Sequence, residues 1–343
     1  MSNSIKTAVV IGATGYVGSS IVQELVNQGQ VKLIRCTSRD VEKANWLKDL
    51  CRDGTCQIEI AALHLNEGEK TLEQLQTVMT GGDVVFFCAG HEEQSPSTID
   101  FMVSSAVSVI EAAKVTSVGT VVLTSSGGST NPQGLKDSTP KSELLHFSDP
   151  DLQISRGRYS PAAKTLMEIK AFEAVGRNHK NEIVDIGLAT TESTPRLVIM
   201  NPNLILGPQI DPSPIIKGNS LPWMVQILKK ERMAEYVPND SMSIIDVRDL
   251  AKLHIAAAVN EEASGRYYGV NQSYAWREIL QEFHSILPTF YQPPPLNPDE
   301  DYGSKIPTQF DHTRKNSLGV TLRPLHETLV DLVDFFQSRN ALT

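Results

Sequence analysis

Gly12, Gly15 and Gly18 stand directly behind the unbroken apolar run Thr7-Ala8-Val9-Val10-Ile11, and a helix-patterned stretch follows them at once. An apolar run without polar alternation is the mark of a strand buried on both faces, as in a parallel sheet. In the connection Gly12-Ala13-Thr14-Gly15-Tyr16-Val17-Gly18 each glycine has a separate task. Gly12 permits the tight turn, Gly15 lets backbone approach a pyrophosphate, and Gly18 lets helix and strand pack closely. The helix read from Ser19 to Asn27, stopped by Gly29, turns its unpaired N–H groups and positive dipole end toward the phosphates. The expectation is a dinucleotide-binding βαβ unit, with Gly12, Thr14, Gly15, Tyr16, Val17 and Gly18 at the phosphates.

The second strand, read over Val31–Cys36, leads into Thr37-Ser38-Arg39-Asp40, with Lys43 one turn later. An NAD-selective site places an acidic residue near this point to accept from the ribose 2′-OH. Here the position carries Arg39, whose planar fork suits adenine stacking and a 2′-phosphate. Asp40, one place on, is expected to cap the next helix. Arg39 and Lys43 therefore point to NADP(H).

Strand-like and helix-like stretches alternate as far as residue 200: strands over Asp83–Cys88, Gly119–Thr124 and Arg196–Met200, and helices over 101–114 and 161–176. This alternation predicts an α/β chain with a Rossmann, doubly wound parallel sheet. Prolines from Pro202 to Pro238 and again over Pro288–Pro298 break the texture that follows. Residues 1–200 are thus read as the NADP(H)-binding domain and 201–343 as a smaller, interleaved C-terminal substrate lobe. The strand-like Ser243–Val247 suggests that 236–258 return to the first domain.

A formal net charge of −9 with a pI near 5.4 argues against nucleic acid, and the densest basic cluster, Lys229, Lys230 and Arg232, reads as a solvated helix end. The first residues lack the apolar stretch of a signal peptide, and no membrane-spanning run occurs, so a cytoplasmic location is expected. Cys36, Cys51, Cys56 and Cys88 show no CxxC spacing and read as reduced thiols, not as a disulfide framework. Neither they nor the eight histidines suggest a metal site.

Further segments carry a resemblance. Val121-Val-Leu-Thr-Ser-Ser126, Lys164-Thr-Leu-Met-Glu168, Asn201-Pro-Asn-Leu-Ile-Leu-Gly-Pro208, Ile245-Asp-Val-Arg-Asp-Leu-Ala251 and Gly265-Arg-Tyr-Tyr268 follow the glycine turn in order. With them the chain resembles the extended short-chain dehydrogenase/reductases, specifically the dihydroflavonol reductase/cinnamoyl-CoA reductase/aldehyde reductase group. The resemblance implies hydride transfer between nicotinamide and a carbonyl or alcohol carbon of a small-molecule substrate. It implies Ser126 as the hydroxyl on the carbonyl oxygen, with Ser125 the second candidate, and Lys164 as the base-tuning lysine that also contacts the cofactor. Ala89 and Gly90 would lie beneath ribose and pyrophosphate, and Pro202 through Leu204 would back the nicotinamide. A tyrosine is the proton donor in that group, its pKa of ~10 lowered by the lysine.

The chain departs from the group at that tyrosine. The group has Tyr-x-x-x-Lys; here Ser160 stands four residues before Lys164 and Tyr159 five before it. If the helix starts at Pro161, Tyr159 lies ahead of it and can swing toward the site; otherwise Ser160 holds the tyrosine's place. Two smaller departures are Ser104, where the group often has Asn, and His64, where it usually has Asp. The leading expectation is an NADPH-dependent carbonyl reductase acting as monomer or homodimer. Its rivals are a non-catalytic NADP(H)-binding sensor or regulator and, less favoured, a nucleotide-sugar epimerase or dehydratase.

Overall fold

A computed structural model of the chain describes residues 5–52, 54–65, 67–90, 94–132, 138–213, 220–303 and 305–342. Its first half alternates β1 (Thr7–Ile11), α1 (Tyr16–Gln28), β2 (Leu33–Ser38), α2 (Val41–Ala44), β3 (Gln57–Ala62), α3 (Glu69–Met79), β4 (Val84–Phe87), α4 (Ser97–Thr116) and β5 (Thr120–Thr124). Helices α5 (Pro150–Ser155), α6 (Tyr159–Ala174) and α7 (Ile186–Ala189) precede β6 (Arg196–Pro202) and β7 (Leu204–Leu206). After them come α8 (Ser220–Leu228), β8 (Ser241–Asp246), α9 (Val247–Val259), β9 (Gly265–Gly269) and β10 (Gln272–Ala275). Helices α10 (Trp276–Ile286), α11 (Thr313–Asn316) and α12 (Leu325–Ser338) complete the chain.

Seven parallel strands form the main sheet in the order β3-β2-β1-β4-β5-β6-β9. This is the doubly wound sheet that the alternation predicted. The order reverses between β1 and β4, so the crevice for a ligand opens at the carboxyl ends of those two strands. One face buries Ile21, Leu25, Leu250 and Leu253 of α1 and α9; the other buries Met102, Val109, Met167 and Phe172 of α4 and α6.

The small sheet, β10-β8-β7, lies in the C-terminal lobe with α8, α10 and α12, around Trp276, Phe283, Leu332 and Phe336. The strand read at Ser243–Val247 sits here as β8, paired with β7 and β10 and not with the main sheet. The part of 236–258 that packs on the nucleotide-binding half is α9, against α1. The strand that rejoins the main sheet is β9, parallel to β6. An apolar run announces a strand without saying which sheet takes it, and β9 carries Arg266 between its glycine and two tyrosines, so no apolar run marked it.

The cysteine expectation is corrected in part. Cys51 and Cys56 pair as a disulfide between the 3-10 turn Asn45–Cys51 and the start of β3. The turn brings back the chain so that two residues five apart in sequence become neighbours. Cys36 and Cys88 are free thiols. Among the described residues no helix is long and apolar enough to cross a membrane.

Candidate active site

The glycine turn is built as the spacing requires. Gly12 has φ of +82°, and a Cβ there would stand 2.8 Å from the backbone N of Ala89. A Cβ on Gly18 would stand 2.2 Å from the Gly12 carbonyl oxygen. Both positions therefore exclude any larger residue. Gly15 caps α1 with no side-chain hydrogen bond, leaving the first N–H groups of that helix for an anion, and no acidic residue occupies its first turn. Ala89 and Gly90 follow β4 at the switch point beside Gly12. Thr14 and Val17 are half-buried in the turn. The Tyr16 side chain is turned away: its hydroxyl donates to Gly207 O at 2.7 Å, which leaves only its backbone for a phosphate. These residues fit a dinucleotide pyrophosphate.

At the adenine end, Arg39 is exposed and has no ion-pair partner among the described residues. Asp40 accepts from Lys43 N at 3.1 Å and caps α2 as expected, while Lys43 Nζ lies 3.2 Å from the same carboxylate. Lys43 is thus paired on the surface, whereas Arg39 has no such partner among the described residues.

Ser126 caps the short 3-10 turn Gly127–Thr130 after β5, its Oγ accepting from Gly128 N at 3.0 Å. Its own hydroxyl proton has no acceptor among the described residues. Ser125 is in the opposite situation. It is buried, and its hydroxyl donates to Glu168 Oε1, as does that of Ser129. Of the two candidate serines, only Ser126 keeps a free donor.

Glu168 and Asn201 gather the walls of the site. Asn201 Nδ2 donates to Glu168 Oε1 at 2.7 Å and to Ser126 O at 3.0 Å. Arg266 Nη1 of β9 lies 3.5 Å from Glu168 Oε2, and all three residues are buried. The α6 helix, the serine turn and the end of β6 at Pro202 are thereby tied to one carboxylate. Leu204 starts β7 next to them. Gly127 is pressed by Asn203 and Gly128 by Pro161: Cβ atoms built there would stand 2.0 Å from Asn203 Oδ1 and 3.3 Å from Pro161 Cβ. The first turn of α6 therefore abuts the Ser126 loop.

Lys164 lies one turn before Glu168 on α6, yet its Nζ donates to the Thr124 carbonyl oxygen at 2.7 Å. Burial lowers its pKa to about 8, partly offset by Cys88 and Glu168. One of its three N–H donors is engaged there, and the others remain for ribose hydroxyls and a proton donor. Tyr159 is the first residue of α6, N-capped by Arg158. The helix thus starts two residues earlier than Pro161, because a proline is tolerated anywhere in the first turn, where its missing N–H would be unpaired in any case. Tyr159 does not lie ahead of the helix. On a regular helix Ser160 stands about 40° from Lys164 around the axis and Tyr159 about 140°. The phenol has no hydrogen-bond partner among the described residues. Sequence reasoning quoted Glu168 and Asn201 as motif letters without a role; an acid one turn beyond a lysine in an otherwise apolar stretch was the available signal.

Comparison with known proteins agrees with this geometry. Residues 12–149 match a family model described as NAD(P)H-binding. Cinnamoyl-CoA reductase 1 of Arabidopsis thaliana is 26% identical over 338 residues, covering 98% of this chain and 91% of that one. The solved vestitone reductase of alfalfa superposes with a TM-score of 0.75 at 20% identity, covering 98% of this chain and 99% of that one. The yeast methylglyoxal/isovaleraldehyde reductase solved with NADPH gives 0.77 at 20% identity, with the same two coverages, 98% and 99%. Residues 12–149 thus form an NAD(P)H-binding domain, and over nearly its whole length the chain is similar to extended short-chain dehydrogenase/reductases. The similarity extends to cinnamoyl-CoA reductases and an anthocyanidin reductase, and the cofactor of the matched domain is a nicotinamide dinucleotide.

Proposed function

We propose that the chain is an NADP(H)-dependent reductase of a small aldehyde or ketone. The observation that carries this reading is a pair of unengaged donors at the carboxyl end of β5, the Ser126 hydroxyl and the remaining N–H groups of Lys164. The nicotinamide, when bound, supplies the hydride. Ser126 donates a hydrogen bond to the carbonyl oxygen, which gains negative charge as the carbon is reduced. Lys164, as an ammonium, favours the deprotonated form of the hydroxyl that delivers the proton. Tyr159 delivers that proton if the first turn of α6 opens far enough to bring its phenol to the Lys164 face. Arg39 selects NADP(H) by pairing with the 2′-phosphate.

A second reading, an NADP(H)-binding sensor without turnover, is favoured by one observation: Ser160, a poor proton donor, stands where Tyr-x-x-x-Lys needs the phenol. NADPH consumption against a panel of small aldehydes and ketones separates the two, with Tyr159→Phe and Ser160→Ala alongside. Turnover lost in Tyr159→Phe and kept in Ser160→Ala supports the tyrosine as the acid. A wild-type protein that binds NADPH and reduces no carbonyl overturns the reductase reading.

A further inference from the structure

Behind Lys164 lies a line of buried hydrogen bonds that crosses from α9 to β5. His254 is fully buried, with Nδ1 2.8 Å from Leu250 O and Nε2 2.9 Å from Thr124 Oγ1. The carbonyl can only accept, so Nδ1 carries the imidazole proton. Burial drops the His254 pKa to about 4, which leaves the ring neutral at physiological pH and Nε2 bare. Thr124 must then donate its single hydroxyl proton to Nε2. Its Oγ1 also lies within donating distance of Cys88 Sγ, at 3.3 Å, and burial raises the Cys88 pKa to about 11, so the thiol keeps its own proton. The shorter of the two contacts of the Thr124 hydroxyl is the one to His254. The line ends in a main-chain carbonyl and relays nothing.

What it fixes is the rotation of Thr124. The same residue that His254 and Cys88 hold by its side chain offers its carbonyl oxygen to Lys164 Nζ at 2.7 Å. The structure assigns His254, acting through the Thr124 hydroxyl, as the positioning residue for the Lys164 ammonium. This rests on the reductase reading for its catalytic meaning, but the geometric claim stands on the apoprotein. The charged or titratable groups facing Lys164 are Cys88 after β4 and Glu168 on its own helix. The serines, Asn201 and Arg266 already occupy Glu168, and among the described residues the Thr124 carbonyl is the hydrogen-bond acceptor that Lys164 Nζ reaches.

Loosening that carbonyl weakens a hydrogen bond made by the charged form, so the Lys164 pKa falls. A bond of this kind corresponds to a shift of roughly half a unit to one unit. The test is the pH dependence of Lys164 acylation by trace acetic anhydride, followed by peptide mass spectrometry with Lys170 as internal reference. It is run on the wild type, Thr124→Val, Thr124→Ser and His254→Phe, each with its thermal midpoint. The expected result is a Lys164 midpoint near 8 in the wild type, lowered by that amount in Thr124→Val and His254→Phe and restored in Thr124→Ser. Thr124→Val, close in volume, keeps the question open to refutation if His254→Phe fails to fold. An unchanged midpoint in folded Thr124→Val, or the same fall in Thr124→Ser, overturns the assignment. Where the wild type turns over a carbonyl, the alkaline limb of kcat/KM moves down in step. Where it turns over none, the reductase reading fails and the acylation midpoints still decide the role of His254.

Discussion

Asn201 Nδ2 lies 2.7 Å from Glu168 Oε1, in a buried junction where β6 meets α6. Two serine hydroxyls reach the same oxygen, and Arg266 stands beside the other. The oxygens of a carboxylate so surrounded are already taken as acceptors, and the lysine one turn away hydrogen-bonds a carbonyl instead.

Replacing Glu168 tests how much that junction holds. Glu168→Gln keeps an acceptor for the serines and Asn201 but turns an amide toward Arg266, leaving a buried guanidinium without its carboxylate. The expected cost is about 3 kcal/mol, since breaking one side of a buried ion pair exposes the other to full desolvation. Urea unfolding at pH 7 measures it. A loss under about 0.5 kcal/mol would show that the Glu143 and His146 carbonyls suffice for Arg266.

Gly18→Ala is expected to abolish tight NADPH binding. Its Cβ would stand 2.2 Å from the Gly12 carbonyl oxygen, so the turn must open and the phosphate-facing N–H groups must move with it. A loss of more than about tenfold in NADPH affinity follows from the lost alignment of charge-assisted bonds. Cofactor fluorescence titration reads it directly.

Arg39→Ala separates the two nicotinamide cofactors. The guanidinium is exposed and has no ion-pair partner among the described residues, so its removal leaves the fold unaltered. NADPH affinity is expected to fall about tenfold to a hundredfold while NADH affinity stays within about twofold. Equal losses for both cofactors would place Arg39 away from the 2′-phosphate. Salt should weaken the wild-type preference for NADPH.

His254 makes acid stability predictable in sign. Its folded pKa of about 4 lies below the ordinary value of 6.5, so between these values the unfolded chain binds a proton that the folded chain refuses. Stability from this group is complete above pH 6.5 and is lost as pH falls toward 4. By pH 4.5 the loss amounts to about 2 to 3 kcal/mol. Urea midpoints from pH 7 to 4.5 should fall more steeply in the wild type than in His254→Phe. Parallel slopes would contradict the prediction.

The glycine turn, the main sheet and the Asp40 cap were legible because each is a local matter of spacing. Gly12 and Gly18 declare a close approach by lacking a side chain, and Asp40 declares a cap by standing before a helix. Partner choice across the fold was not legible. Nothing near β8 in the sequence says that it pairs with β7, and nothing near Ser125 says that Glu168, forty-odd residues later, takes its proton. The disulfide escaped for the same reason, since Cys51 and Cys56 meet only once the 3-10 turn folds back on β3. The Tyr159 position turned on a two-residue difference in where a helix starts, which is finer than proline preference resolves.

The parallel pairing of β9 with β6 has a consequence for how the chain is made. The main sheet takes its last strand from residues 265–269, and α9, which covers α1, lies just before it. A nascent chain that has emerged only to residue 200 carries the whole glycine turn, yet its β6 edge is open and one face of α1 is bare. The cofactor cleft is therefore finished only when three-quarters of the chain has left the ribosome. A fragment cut near residue 200 is expected to associate through that edge and to bind no nucleotide until residues 247–269 are restored.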